Sequence, residues 1–388
     1  MQTKIFIMAK KMESGGTEVA LINLLNELVK NNNISITLGL LQKKGMYLDN
    51  IPKNVKVIEV LSKRQLSFLE KFNIKNAGIK EIYKVIKFKL ISKIKKENTA
   101  QKYERILKEI SKEEEQYDIA IDFHGYGYIG TVYMLEKIKA KRKAMFVHDE
   151  KIDWMEKVKK YIDQYDKIFC VSNACKEVVS NTYPEYKNKV DIFRNIINQD
   201  KIIKLSEEKI QDMDFNGIKL LTVGRLEYQK GYDLLIEIAQ LLRNDRYDFK
   251  WYIVGQGSLY AKIQEEIKKR NLESYVILLG VKKNPYPYIK KCNVYIQPSR
   301  HEGYGIAIAE ARILEKPIVA TNLNCIQEQI TNNQNGILCN FNAKEFCTKI
   351  EDLLSNKNLI EKIKENLKKE NNSENNDIAK LLEEQLWK

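Results

Sequence analysis

The stretch Gln297-Pro298-Ser299-Arg300-His301-Glu302-Gly303-Tyr304-Gly305-Ile306-Ala307-Ile308-Ala309-Glu310-Ala311 lies between two apolar runs, Val294–Ile296 and Pro317–Thr321. Those runs are β-branched and bounded by proline, and they read as buried parallel strands. Between them the glycines at 303 and 305 allow a tight loop that ends where a helix begins, Ile306 to about Leu314. Such a helix start presents unpaired N–H groups and a positive dipole end, and so attracts anions. The helix is apolar on nearly every side, which predicts burial. Glu310 sits inside that apolar context, where a carboxylate is costly unless something hydrogen-bonds it; a pair of ligand hydroxyls is a natural partner. Glu302 lies eight residues earlier, so the two carboxylates can stand up to ~12 Å apart at roughly 1.5 Å per helical residue. The plainer alternative makes Glu302 an acid favoured near a helix start and Glu310 an exposed surface residue.

Outward from this stretch, strand and helix alternate in both directions. Ile218–Val223 reads as a strand, followed by Gly224-Arg225-Leu226-Glu227-Tyr228-Gln229-Lys230-Gly231 and a helix from Asp233. Trp251–Gly255 and Val276–Val281 are further strands, with a helix over Leu259–Arg270 between them. Beyond Thr321, Gly336-Ile-Leu fits a turn and strand, and helices are predicted over Phe346–Leu367 and Ile378–Trp387 with an Asn-rich break at 371–376. In the first half, Lys4–Ala9, Ile34–Leu41, Val55–Val60, Asp118–Phe123, Lys143–Val147, Lys167–Val171 and Val190–Phe193 read as strands. A loop ending in Gly15-Gly16 leads into a helix from Thr17 to about Lys30, although a lone Gly-Gly equally suits a plain turn. His124 and His148 each follow a strand, on the edge where open α/β sheets bind ligands; either equally suits a structural role. The polar segment 198–216 reads as a connection between two halves. The expected division is 1–195, a connection at 196–216, 217–370, and a terminal helical segment 371–388.

A chain of 388 residues with 44% hydrophobic content is long enough for two domains, each with its own core. No run of 18 apolar residues and no signal peptide are evident, so the expected location is cytoplasmic, with a peripheral position on the inner membrane face as a further option. The six cysteines form no C-x-x-C pair and are expected to be buried reduced thiols. Three histidines leave little material for a histidine metal centre. The net charge of +14 is uneven: residues 61–112 carry fifteen Lys and Arg against five Glu, a local excess of ten. Within that segment Ile79, Ile82, Tyr83, Ile86, Leu90 and Ile94 form one helical stripe flanked by Lys80, Lys84 and Lys87, while Val85, Phe88 and Ile91 stray from it. Such a helix either lies in an anionic membrane interface or faces the core with a solvated lysine side. Recognition helices and aromatic-basic interleaving of the usual nucleic-acid modules are missing, so no nucleic-acid partner is expected.

Glu302-Gly-Tyr-Gly followed by Glu310, then Lys316-Pro317-Ile-Val-Ala-Thr321 and Glu328, resembles the retaining glycosyltransferases of family 4. The resemblance implies the GT-B architecture: α/β, with two Rossmann-like doubly wound domains facing each other across a cleft. The first would bind the acceptor and the second the nucleotide sugar, with the final helix crossing back and the free enzyme mobile about 195–216. Carried over by position, Glu302 with Gly303, Tyr304 and Gly305 would lie against the donor sugar, and Glu310 would hold the ribose hydroxyls. Arg225 and Lys230 match the family's diphosphate-binding pair; taken alone they equally suit an ordinary surface Arg and Lys. Gly15, Gly16 and Glu18 match a Gly-Gly-x-Glu that faces the donor phosphates and the acceptor. His148, preferred to His124 on the resemblance, would contact the donor sugar near the reacting carbon. The neighbourhood of Gly280 and Val281 would approach the nucleobase. The family's Asn-Gly turn at the domain boundary is replaced here by Arg194-Asn195-Ile196-Ile197, which lacks the turn's glycine.

The resemblance implies transfer of a sugar from a nucleotide-diphosphate donor, UDP-sugar before GDP-sugar, to a glycan or lipid-linked acceptor with retention. The expected context is capsule, exopolysaccharide or another cell-surface glycan. No metal or other cofactor is expected, because the cations are side chains and no D-x-D motif is evident. The alternatives are another enzyme of this architecture, such as a nucleotide-sugar epimerase or a phosphorylase, or a non-catalytic basic protein bound to a membrane or nucleic acid through 61–112.

Overall fold

The computed structural model describes residues 2–62, 65, 66, 68, 79–110 and 112–373. Its backbone is organised by two parallel sheets. The first contains β1 (Thr3–Ala9), β2 (Ile34–Leu40), β3 (Lys56–Glu59), β4 (Gln116–Asp122), β5 (Lys139–Val147), β6 (Lys167–Cys170) and β7 (Val190–Ile192). Its spatial order is β3-β2-β1-β4-β5-β6-β7. The second contains β8 (Ile218–Val223), β9 (Phe249–Val254), β10 (Val276–Gly280), β11 (Val294–Gln297), β12 (Ile318–Thr321) and β13 (Ile337–Cys339), in the order β10-β9-β8-β11-β12-β13. Helices cover both faces of such sheets, so central strands are apolar throughout instead of alternating: Ile5, Phe6, Ile7, Met8 and Ala9 are all fully buried. The architecture is α/β with two Rossmann-like halves, the GT-B plan.

Each sheet reverses its winding once, between β1 and β4 in the first and between β8 and β11 in the second. Such a switch point splays the loops leaving the strands' carboxyl ends and opens a crevice there. The second sheet is clamped by two layers. One is built on Tyr232, Phe249, Trp251 and Phe346. The other uses Tyr252, Tyr295, Ile308, Ala311 and Ile326, and so buries the helix Ile306–Ile313 as its apolar circumference predicts.

Contacts divide the chain into two compact units. The first holds Met1–Glu13, Leu24–Val171 and Cys175–Phe193. The second holds Arg194–Lys388 together with Ser14–Asn23 and Ser172–Ala174. All six cysteines are buried free thiols, as expected.

Two elements differ from the sequence expectation. β5 starts at Lys139, four residues before the expected Lys143. Its first half pairs with β4 through Lys139, Ala140 and Arg142, whereas pairing with β6 begins only at Ala144. That overhanging half is lysine-rich because it is not covered on both sides, and the apolar signal is lost. The single helix expected over Phe346–Leu367 is two helices, Ala343–Ser355 and Lys357–Ser373. Asn356 leaves helical geometry, and its side chain accepts from Leu359 N at 3.0 Å, capping the second helix. That helix continues past the expected break at 371 because its end is tied down. Glu370 pairs with Arg312 at 2.9 Å and accepts from Asn335, and Asn371 donates to the Ile313 carbonyl at 3.1 Å. The expected helix over Ile378–Trp387 lies outside the described residues.

Candidate functional site

The loops leaving β8 and β11 meet at the switch point of the second sheet. The β8 loop ends in a single 3₁₀ turn, Tyr228–Lys230, closed by Gly231 at φ +66°. A Cβ at Gly231 would stand 1.9 Å from the Pro298 carbonyl oxygen, so only glycine lets the two backbones approach this closely. The turn aims Lys230 at the β11 loop, where its ammonium donates to Glu302 Oε1 at 2.6 Å. Both ends are shielded, with 16% of the Lys230 side chain and 6% of Glu302 exposed. Glu302 Oε1 also accepts from Ser299 Oγ at 2.7 Å, and Gln297 Nε2 donates to that hydroxyl oxygen at 2.8 Å. The Tyr295 hydroxyl in turn donates to Gln297 Oε1 at 2.7 Å. A buried pair that is hydrogen-bonded on several sides is held in one geometry; removing one partner leaves the other charge stranded.

Arg300 fastens the same two loops from outside. Its guanidinium forks onto both carboxylate oxygens of Asp233, in the first turn of the helix Tyr232–Asn244, and lies 3.9 Å over the Tyr228 ring. Its backbone N–H donates to the Gln229 carbonyl at 2.8 Å, while Gln229 Nε2 donates to the His301 carbonyl at 3.0 Å. The pairing holds the Asp233 carboxyl below its ordinary range and raises Arg300 above its own.

The glycine loop is shaped at its far end by Gly305, at φ +85° in front of the helix Ile306–Ile313. Gln329 donates its side-chain N–H to the Tyr304 carbonyl and so pins the loop from below. One turn into the helix, Glu310 is 5% exposed and accepts from the Tyr286 hydroxyl at 3.1 Å. Burial pushes its carboxyl up to about 7, against the lowering effect of the Tyr286 hydroxyl. Glu310 is not a surface acid, so the plainer reading of that residue is corrected by its burial.

Of the remaining sequence-derived candidates, Gly15 and Gly16 belong to the second unit. A Cβ at Gly15 would lie 2.5 Å from Glu18 Oε2 and 3.7 Å from Arg225 Nε, and one at Gly16 would lie 3.4 Å from Ile306 Cδ1. This places the glycine pair beside the same helix start. Arg225 is exposed and does not join the Lys230–Glu302 pair. Gly280 adopts φ +69° with open space on its Cβ side, at the end of β10. Glu328 is engaged with backbone and side chains: it accepts from Ala174 N at 3.0 Å and Asn173 Nδ2 at 2.9 Å.

His148 belongs to the first unit, just beyond β5. Its Nε2 lies 2.6 Å from the Phe123 carbonyl oxygen. A carbonyl only accepts, so Nε2 carries the hydrogen and Nδ1 keeps its lone pair. Burial lowers its pKa to about 4, which makes it a neutral ring near pH 7. His124 is 6% exposed and its Nδ1 accepts from Lys10 N at 2.7 Å, a bond that joins the ends of β4 and β1.

Sequence reasoning missed Arg300, Asp233, Ser299, Gln297, Tyr286 and Gln329. The first four flank or adjoin the motif residues, and an Arg beside an aromatic-rich loop was a usable signal. Tyr286 and Gln329 reach the site only through tertiary packing.

Two Rossmann-like parallel sheets, each reversing its winding once, are the plan of GT-B proteins. Residues 206–370 match the family model for glycosyl transferases group 1. An uncharacterized glycosyltransferase of Methanocaldococcus jannaschii is 33% identical over 168 residues, which is 42% of this chain and 41% of that protein. The N-acetylgalactosamine-N,N'-diacetylbacillosaminyl-diphospho-undecaprenol 4-alpha-N-acetylgalactosaminyltransferase of Campylobacter jejuni is 32% identical over 134 residues, 34% of this chain and 35% of its own. The chain spans about half the length, or less, of the curated relatives it matches. Among solved structures, a mutant of S. aureus TarM, in complex with fondaparinux, alpha-GlcNAc-glycerol and UDP, superposes with a TM-score of 0.72. It covers 99% of both chains at 18% identity. Among the described residues no helix is long and apolar enough to cross a membrane.

Proposed function

We propose that the chain is a glycosyltransferase that moves a sugar from a nucleoside-diphosphate donor to a glycan or lipid-linked acceptor with retention at the anomeric carbon. The observation that carries this reading is the buried Lys230–Glu302 pair, which joins the β8 and β11 loops at the switch point where doubly wound sheets bind nucleotides. A diphosphate arriving there meets Lys230, the exposed Arg225 and the amide end of the helix Ile306–Ile313, all cationic or dipolar in the right sense. Glu310, buried and, among the described residues, hydrogen-bonded by the Tyr286 hydroxyl, accepts from ribose hydroxyls once ionised. Glu302 and the glycine loop orient the sugar. UDP is the favoured nucleotide, with support from the UDP-bound structural neighbour.

In the reaction the bond between the anomeric carbon and the diphosphate oxygen breaks, and its electron pair stays on the diphosphate. The acceptor oxygen forms a bond to the same face of that carbon, and its proton passes to a diphosphate oxygen. Retention by double displacement needs a free carboxylate nucleophile. Glu302 is already engaged by Lys230 and Ser299, which favours front-side departure assisted by the diphosphate. Developing charge is neutralised by Arg225 and Lys230, so no metal is required. The relative acting on an undecaprenol-linked sugar supports a lipid-linked acceptor in cell-surface glycan assembly.

The test is donor hydrolysis without acceptor: the protein, with EDTA present, against UDP-, GDP- and ADP-sugars, reading nucleoside diphosphate release. Slow release from one donor, lost in Glu302→Ala and Lys230→Ala, is the expected result. Silence with every donor, together with no thermal shift by any nucleoside diphosphate, overturns the reading.

A further inference from the structure

The helix Ile79–Ile94 is anchored by the residues that stray from its sequence stripe. Val85 is 3% exposed and Ser92 8%, and Phe88 stacks on Phe68 with ring centroids 4.7 Å apart. Arg105, from the neighbouring helix Thr99–Leu107, lies 3.6 Å over the Phe88 ring, donates to the Phe88 carbonyl and Ser92 Oγ, and pairs with Glu97. These contacts fix the opposite face outward. That face carries Tyr83, Ile86, Leu90 and Ile94, exposed by 64%, 59%, 56% and 71%. Of the two readings of this stripe, the one that turns it to the core is therefore overturned for these four residues. Half of the eight exposed large hydrophobics among the described residues lie on this one helix face; scattered singly they would mean nothing, but as a row they mark an interaction surface.

At 100° per residue, exposed Lys87 lies along one border of the stripe, and exposed Lys89 and Lys93 lie along the other. Lysines on both borders of a narrow apolar row can extend their ammonium groups toward phosphate headgroups while the row enters the acyl boundary. A second copy of the chain fits poorly, because a two-fold contact through this face would set lysine against lysine. We propose that the outer face of the helix Ile79–Ile94 docks the chain on an anionic lipid bilayer, with Tyr83, Ile86, Leu90 and Ile94 inserted and Lys87, Lys89 and Lys93 on the headgroups. This surface is independent of the transfer reaction and stands on the first unit alone.

The experiment is co-sedimentation of the full chain, without donor or acceptor, with vesicles of phosphatidylcholine alone or mixed with phosphatidylglycerol. Binding is expected only with phosphatidylglycerol present and should weaken as salt rises. Leu90→Glu with Ile94→Glu should abolish it at an unchanged Tm, because both side chains are already in solvent. Lys87→Glu with Lys93→Glu should weaken it by roughly tenfold or more. The proposal is overturned if the apolar double variant binds like the parent, or if neutral vesicles bind equally. It is also overturned by a lowered Tm in that variant, which would mean the chain itself covers the row. Self-association that the variant abolishes, with no vesicle binding by the parent, would overturn it in favour of a dimer face.

Discussion

The two sheets wind alike and reverse alike, yet their switch points are finished differently. Between β8 and β11 a lysine and a glutamate meet at 2.6 Å, both shielded, with an arginine–aspartate fork bracing the loops from outside. Between β1 and β4 the edge is closed by a neutral imidazole accepting from a backbone N–H, and the nearby His148 is likewise tied to a carbonyl. The first edge holds a fixed pair of opposite charges; the second is held by a backbone-to-imidazole bond. A doubly wound sheet thus supplies the crevice, and the loop residues decide whether charge chemistry is done there.

The sharpest way to break this contrast is to remove one charge. Lys230→Ala should lower turnover by about 100-fold or more, the usual cost of losing one preorganised donor to a developing anion. It should also lower Tm by stranding Glu302 in a shielded position. His124→Gln, at the other switch point, should leave turnover within about threefold, because it replaces a neutral acceptor with another. Equal losses at both positions would erase the distinction. Next in size is Gly231→Ala. It forces a Cβ against the Pro298 carbonyl and costs roughly 1–2 kcal/mol from the left-handed conformation alone, before the clash is counted. A drop in Tm and in turnover together is expected, read by calorimetry and by product release.

The two regions also titrate in opposite senses. Glu310 is raised from 4.5 to about 7, so the folded state binds its proton more tightly, and stability is lost as pH rises from about 4.5 through about 7. His148 is lowered from 6.5 to about 4, so the unfolded state binds the proton more tightly, and stability is lost as pH falls from 6.5 through about 4. In Glu310→Gln the first slope should vanish, and the affinity for whichever nucleoside diphosphate binds should lose the part of its rise between pH 6 and 8 that depends on ionising this carboxyl. In His148→Gln only the second slope should vanish. Denaturant titrations across pH read both, and a slope unchanged by its own substitution would contradict the assigned environment.

Much of this contrast was legible in the chain itself. The strand-loop-helix repeats around Arg225–Gly231 and Glu302–Glu310 combine β-branched runs, glycines and charges within a few residues, so position alone brought the carriers of the second switch point together. What stayed hidden depends on distance across the fold. The Arg300–Asp233 fork spans 67 residues, and Tyr286 meets Glu310 across 24. The overhanging half of β5 lost its apolar signal because β6 does not cover it. The helix Ile79–Ile94 shows the limit of periodicity: its pattern put Tyr83, Ile86, Leu90 and Ile94 on one face but left open whether that face turned inward, and that was decided by Phe88 and Arg105.

The most direct measurement is titration calorimetry of UDP, GDP and ADP, in EDTA, into the protein and into Lys230→Ala and Glu310→Gln. One nucleoside diphosphate should bind the parent, at least tenfold more weakly to Lys230→Ala, and with a reduced pH dependence to Glu310→Gln. Parent-like affinity in both variants, or no binding of any nucleotide to the parent, would contradict the claim that the charged switch point is the donor site.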